Sequence, residues 1–171
     1  MAASLFFSTC ALAGNEGLQY EYKIKAAYLY NFTKFTKWPL QPASESAPAE
    51  LNICILGQDP FGDAMDILKG KSTAGVPLVV KNISRTPRQD ECQVLFISKS
   101  EKLQLPQVLQ AVAEYPVLTI GDMDGFAMAG GCIELVTVNR KVIFNINLQA
   151  TQRAQLKMSA QLLELAKVVI D

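Results

Sequence analysis

Two short runs carry carboxylates at spacings that chemistry could use. Gly121-Asp122-Met123-Asp124-Gly125 puts two aspartates two residues apart between glycines, a pattern able to hold calcium or to divide acid and base roles. Gly57-Gln58-Asp59-Pro60-Phe61-Gly62-Asp63 follows an apolar run, and a glycine loop between strand and helix is where helix amides can hold phosphate. Neither run completes its motif. The first lacks the remaining ligands of an EF-hand loop. The second is not G-x-G-x-x-G, has Asp63-Ala64 where a P-loop has Lys-Ser/Thr, and places Asp59 and Asp63 where they would repel phosphate. Gly70-Lys71-Ser72 supplies the P-loop tripeptide, but Met65 stands at the first glycine position and a helical pattern precedes it. Asp59, Asp63, Asp122 and Asp124 stand as candidate ligand-binding residues, and turn formation is the plainer reading of the 121–125 run.

The rest of the composition narrows the chemistry further. The 171 residues include no histidine, which excludes Ser-His-Asp and Cys-His catalysis, the HExxH zinc site and imidazole pH switching. No serine sits in G-x-S-x-G and no lysine stands out as a Schiff-base residue, so no catalytic set is expected. Of the four cysteines, Cys54, Cys92 and Cys132 lie in the body of the chain, with no C-x-x-C pair to suggest a metal. No metal or cofactor is expected. Each thiol is read equally well as a small buried hydrophobe or as half of a bridge, and an odd number leaves at least one unpaired. Sixteen basic residues balance sixteen acidic ones, which argues against nucleic acid or an anionic membrane as partner.

These loops need a scaffold, and the hydrophobic pattern supplies one. Residues 18–37 place Ile24, Tyr28, Phe32 and Phe35 on a helical stripe, with Lys23, Lys34 and Lys37 off it, and Trp38-Pro39 ends the helix. A polar, proline-punctuated loop follows at 40–50. Apolar runs at 51–56, 78–83, 92–97 and 117–120, with helical segments near 60–69 and 101–114, read as buried parallel strands alternating with helices. Residues 132–138 and 141–147 form an antiparallel hairpin about Asn139-Arg140, in a register whose paired positions sum to 279. One face then carries Ile133, Leu135, Val142, Phe144 and Ile146 and belongs to the core. The other carries Glu134, Val136, Ile143 and Asn145 and is expected to be partly exposed. Asn147 sits as the N-cap of a helical tail containing Leu156, Leu162, Leu163, Leu165 and Ala166. The expected fold is α/β: a mainly parallel sheet flanked by helices, Rossmann- or flavodoxin-like, with a C-terminal antiparallel hairpin.

The first residues point to a compartment. Leu5 to Ala13 read as the end of a secretory leader with an Ala11-Leu12-Ala13 cleavage site, although the basic segment that usually opens a leader is missing. Residues 1–13 are therefore taken as a leader remnant and 14–171 as one exported domain, where thiols can oxidise.

With these elements in order, the sequence resembles the YfiR family of periplasmic regulators. The resemblance is carried by Glu21 to Phe35 with Trp38-Pro39, by Ile55-Leu56-Gly57 with Pro60-Phe61-Gly62, and by Cys92 to Ser98. It continues through Gly130-Gly131, Val142 to Leu148, Leu156-Lys157 and Gln161-Leu162-Leu163. It implies a non-enzymatic periplasmic homodimer that represses an inner-membrane diguanylate cyclase by binding its periplasmic sensor domain. An OmpA-like outer-membrane lipoprotein would release the cyclase, with cyclic-di-GMP and biofilm formation as the output. It also implies a disulfide between Cys54 and Cys92. A second bridge of some relatives would fall near Ala127 and Glu134, where this chain has no cysteines, so Cys132 is left unpaired.

For the partner surface the hairpin register, rather than any matched motif, nominates Glu134, Val136, Ile143 and Asn145. The competing expectation is a periplasmic small-ligand sensor module, linked in some relatives to histidine kinases, with its ligand at the 57–63 and 121–125 loops.

Overall fold

The structure, a computed structural model, describes residues 12–39 and 50–171. The body of the leader and nearly all of the 40–50 loop lie outside the described residues. Helix α1 (Leu12–Phe35) contains no proline, and its only two glycines lie in its first turns, so nothing interrupts it before Trp38-Pro39. It stops slightly earlier than its pattern suggests, because Thr36–Lys37 (β1) pairs antiparallel with Lys157–Met158 (β9). The Phe35 carbonyl also accepts from Ser159 N at 2.9 Å.

The main sheet has eight strands: β2 (Leu51–Leu56), β3 (Ser72–Thr73), β4 (Val76–Ile83), β5 (Val94–Ile97), β6 (Leu118–Gly121), β7 (Ile133–Val138), β8 (Lys141–Asn147) and β10 (Val168–Ile170). Their spatial order is β10-β8-β7-β6-β5-β2-β4-β3, and the five consecutive parallel strands run β4-β2-β5-β6-β7. That is the 2-1-3-4-5 order of flavodoxin-like sheets. All four residues of β5 and of β6 are buried, as the continuous apolar runs require.

The hairpin register is the one expected, from Val138↔Lys141 to Ile133↔Ile146. Asn139 and Arg140 both take left-handed φ, at 49° and 63°, which gives the primed turn whose twist suits a two-residue hairpin.

The sheet separates two apolar layers. On one side α1 covers Ile53, Ile55, Val94, Phe96, Leu118, Ile120, Leu135 and Phe144. On the other, helix α2 (Leu105–Val112) covers Cys54, Leu56, Leu95 and Ile97. Phe32 meets Phe144 edge-on at 5.1 Å, and Phe61 meets Phe96 at 4.7 Å, contacts that add about 0.5–1.5 kcal/mol each beyond burial.

Three expectations are corrected. The fully buried face of α1 runs through Tyr22, Lys25, Ala26, Leu29, Phe32 and Thr33; of the Ile24–Phe35 stripe only Phe32 lies on it, while Ile24, Tyr28 and Phe35 are partly buried and pack beside it against the same core. Residues 62–68 form a 3-10 helix, and the 101–114 segment divides into a 3-10 turn and α2. The tail is not one helix: α3 (Leu148–Arg153), β9, α4 (Ala160–Leu165) and β10 follow one another. Pairing with β1 and β8 overrides helix propensity there. Asn147 does cap α3, its Oδ1 accepting from Ala150 N at 2.9 Å.

Candidate functional site

Open α/β sheets bind ligands beyond the carboxyl ends of their strands, at the point where strand order reverses. Here that point lies between β2 and β5, and its rim is the 57–63 loop, Ser98 to Glu101, and Gly121 to Asp124. Side chains already fill it. The Ser100 hydroxyl accepts from Gln58 N at 2.9 Å and donates to Glu101 at 2.9 Å, so a side chain in place of Gly57 would collide with both residues. Phe126 packs against the bare Cα atoms of Gly121 and Gly131.

The four candidate aspartates do not converge. Asp122 is buried, and its Oδ2 accepts from Lys25 Nζ at 2.6 Å and from the Tyr22 hydroxyl at 2.9 Å, with Lys99 Nζ at 3.7 Å. Lys25 is 1% exposed, also pairs with Glu21 at 2.5 Å, and lies over the Tyr22 ring. Asp122 is thus the anchor of α1. Burial, then the Asp122 charge and hydrogen bond, push the Tyr22 phenol well above its ordinary range. Asp59 closes its own turn, accepting from Phe61 N at 2.7 Å and from Asn82 Nδ2 at 3.3 Å. Asp63 and Asp124 are exposed. Asp59 and Asp63 line a groove of about 450 Å³ between the start of α1 (Leu18, Gln19, Tyr22, Lys23) and the 59–64 loop. Neither Asp122 nor Asp124 lines it.

Cys54 and Cys92 form a disulfide with Cα atoms 5.9 Å apart, tying β2 to the residue pair that leads into β5. Cys132 is free and buried. Burial pushes its thiol up, against weaker opposing effects of Thr119 and Arg153. It lies in a groove of about 280 Å³ between α2 and α3.

The second hairpin face divides in two. Glu134 is not available on it: it is 7% exposed, and its carboxylate accepts from Gly125 N at 3.0 Å and Ala127 N at 3.1 Å. Val136, Ile143 and Asn145 are half-buried as expected. The structure adds Val168, which pairs with Asn145 across β8 and β10, therefore points to the same side, and is 47% exposed. The β-branched run Val168-Val169-Ile170 was the signal for that strand, hidden by reading the tail as a helix.

A model of the family described as YfiR/HmsC-like matches residues 22–167. Among solved structures, a conserved domain protein from Vibrio cholerae O1 biovar eltor is similar at a TM-score of 0.55 and 9% identity, over 84% of this chain and 59% of that one. The ABC domain in complex with L-Trp from Streptococcus pneumonia is similar at 0.50 and 11%, over 70% and 55%. The chain spans little more than half the length of either structure, and at these identities the likeness shows the fold alone.

Proposed function

The chain belongs to the YfiR/HmsC-like family, a regulatory family of the diguanylate-cyclase type, and from that membership we propose that residues 14–171 act in the periplasm as a non-catalytic repressor. The partner is the periplasmic sensor domain of an inner-membrane diguanylate cyclase. The working form is a homodimer, and an OmpA-like outer-membrane lipoprotein relieves the repression by sequestering it. The observation that supports contact at the hairpin is the row Val136, Ile143 and Val168, apolar side chains left partly open on one sheet face. The Cys54–Cys92 bridge supports an oxidising compartment. Among the described residues no helix is long and apolar enough to cross a membrane.

The test is titration of a purified cyclase sensor domain against the wild-type chain and a Val136→Asp, Ile143→Asp double variant that retains its circular dichroism. Saturable binding is expected for the wild type and its loss for the variant. Equal binding would remove this face.

The α1 groove beside Asp59 and Asp63 favours a second reading, a small-ligand sensor module. The neighbour solved in complex with L-Trp makes amino acids the first ligands to try. A ligand at ~100 times its dissociation constant adds about 2.7 kcal/mol, so a thermal-shift screen decides the matter, and no shift would end this reading.

A further inference from the structure

The sheet has two edges, and they differ. At one, β3 is only two residues long and lies against Pro77 in β4. At the other, β10 offers Val168-Val169-Ile170 with no charge, proline or bulge inside the strand, and Val168 and Val169 are 47% and 37% exposed. A β-branched edge left unpaired among the described residues is a template for another strand.

Charges flank it on both sides in Lys167-Val168-Val169-Ile170-Asp171. Both Lys167 and Asp171 are exposed, and neither is in an ion pair among the described residues. Consider two such edges antiparallel about a two-fold axis through Val169. Paired positions then sum to 338, so Lys167 of each copy faces Asp171 of the other, and Val168 faces Ile170. The even sum pairs residues of like parity, so backbone groups that point outward in one copy meet those that point outward in the other. Sums of 336 and 340 also satisfy the backbone, but they set Lys167 against Val169 or Asp171 against Val169. Odd sums leave outward groups opposite inward ones. Only one register satisfies backbone and charge together.

We infer that β10 pairs antiparallel with β10 of a second copy of this chain in the register that sets Lys167 against Asp171. The inference rests on the dimeric reading above and adds to it a surface and a register. The strand is short, so the flanking charges decide whether the pair forms, and association depends on concentration and salt.

Sedimentation equilibrium across a concentration series tests it with four chains: wild type, Lys167→Asp, Asp171→Lys, and the double reversal. All changes are at exposed positions, and circular dichroism checks each fold. The wild type should dimerise, and each single reversal, which sets like charges opposite twice, should weaken the dimer by about tenfold or more. The double reversal should restore it to within about threefold of wild type. If the single reversals dimerise like wild type, the dimer uses another face; the inference falls and the dimeric reading stands. A wild type that stays monomeric at every concentration overturns both. Failure of the double reversal to recover overturns the register.

Discussion

Glu134 fastens Ala127: the carboxylate at the start of β7 accepts the Ala127 amide at 3.1 Å with one oxygen and the Gly125 amide at 3.0 Å with the other. A second bridge of some YfiR relatives is expected to fall near these two positions. In this chain a carboxylate and two backbone amides hold the same turn closed, a link that reductant does not touch. Glu134→Ala should destabilise the chain by about 2–3 kcal/mol, since hydrogen bonds to a charged group are strong and the buried Ala127 amide is left bare. Glu134→Gln should recover less than half of that, because one amide oxygen serves only one of the two donors. Urea unfolding measures both, and an Ala variant as stable as wild type would show the clamp to be inert.

Lys25 and Asp122 form a pair removed from water, and breaking it from one side leaves the other buried charge with only its remaining partners, Glu21 for Lys25 and Tyr22 with the more distant Lys99 for Asp122. Lys25→Met or Asp122→Asn should each cost about 3–5 kcal/mol. Lys25→Met with Asp122→Asn should cost clearly less than the two single losses added together. A double-mutant cycle measures the coupling, and simple additivity would mean that the two groups do not work as a unit.

Tyr22 sets an alkaline limit. The unfolded phenol loses its proton near pH ~10, whereas burial beside Asp122 keeps the folded one protonated well above that. Between those points the folded state holds the additional proton, so stability is complete below pH ~10 and falls as pH rises. Tyr22→Phe should reduce the slope of the urea midpoint between pH 9 and 11. Superimposable slopes would exclude Tyr22 as a contributor.

Replacing Cys54 and Cys92 together by alanine should cost ~2–5 kcal/mol in a urea melt, the loss usual for a native bridge. Cys132, with its thiol pushed up by burial, should react with a thiol reagent in the folded chain far more slowly than in urea. Rapid labelling of the native chain would place that thiol within reach of solvent.

Much of this architecture was legible from short-range pattern. The apolar runs and the Asn139-Arg140 turn were enough for the strands and the hairpin register, because a period of two admits only one core face. What escaped was set by distant partners. A lysine within a helix reads as a solvent residue, and the partner that makes Lys25 a buried one lies 97 positions away. Glu134 looked like half of a mixed face because the donors it meets are backbone amides, which leave no mark in the residue pattern. The tail's residue pattern reads as one helix because its strands are two and three residues long, too short for any periodicity. The Gly121–Gly125 run reads as a turn, but the Asp122 carboxylate faces Lys25 and Tyr22, so its anchoring role depends on distant residues.

The clasp between β1 and β9 has a consequence for the order of events in time. Helix α1 is made early, yet the contacts that fix it come late: Asp122 for Tyr22 and Lys25, the Val142 carbonyl for Tyr28, and Met158 for Thr36. The helix can seat against Phe61, Ile53 and Ile55 once these are made, but its polar anchors are joined only when the C-terminal half is present, and closing loops of that length is slow. In chain order, the hydrophobic seat of α1 therefore precedes its polar fastening, and the β1–β9 clasp is the last of these contacts to be completed.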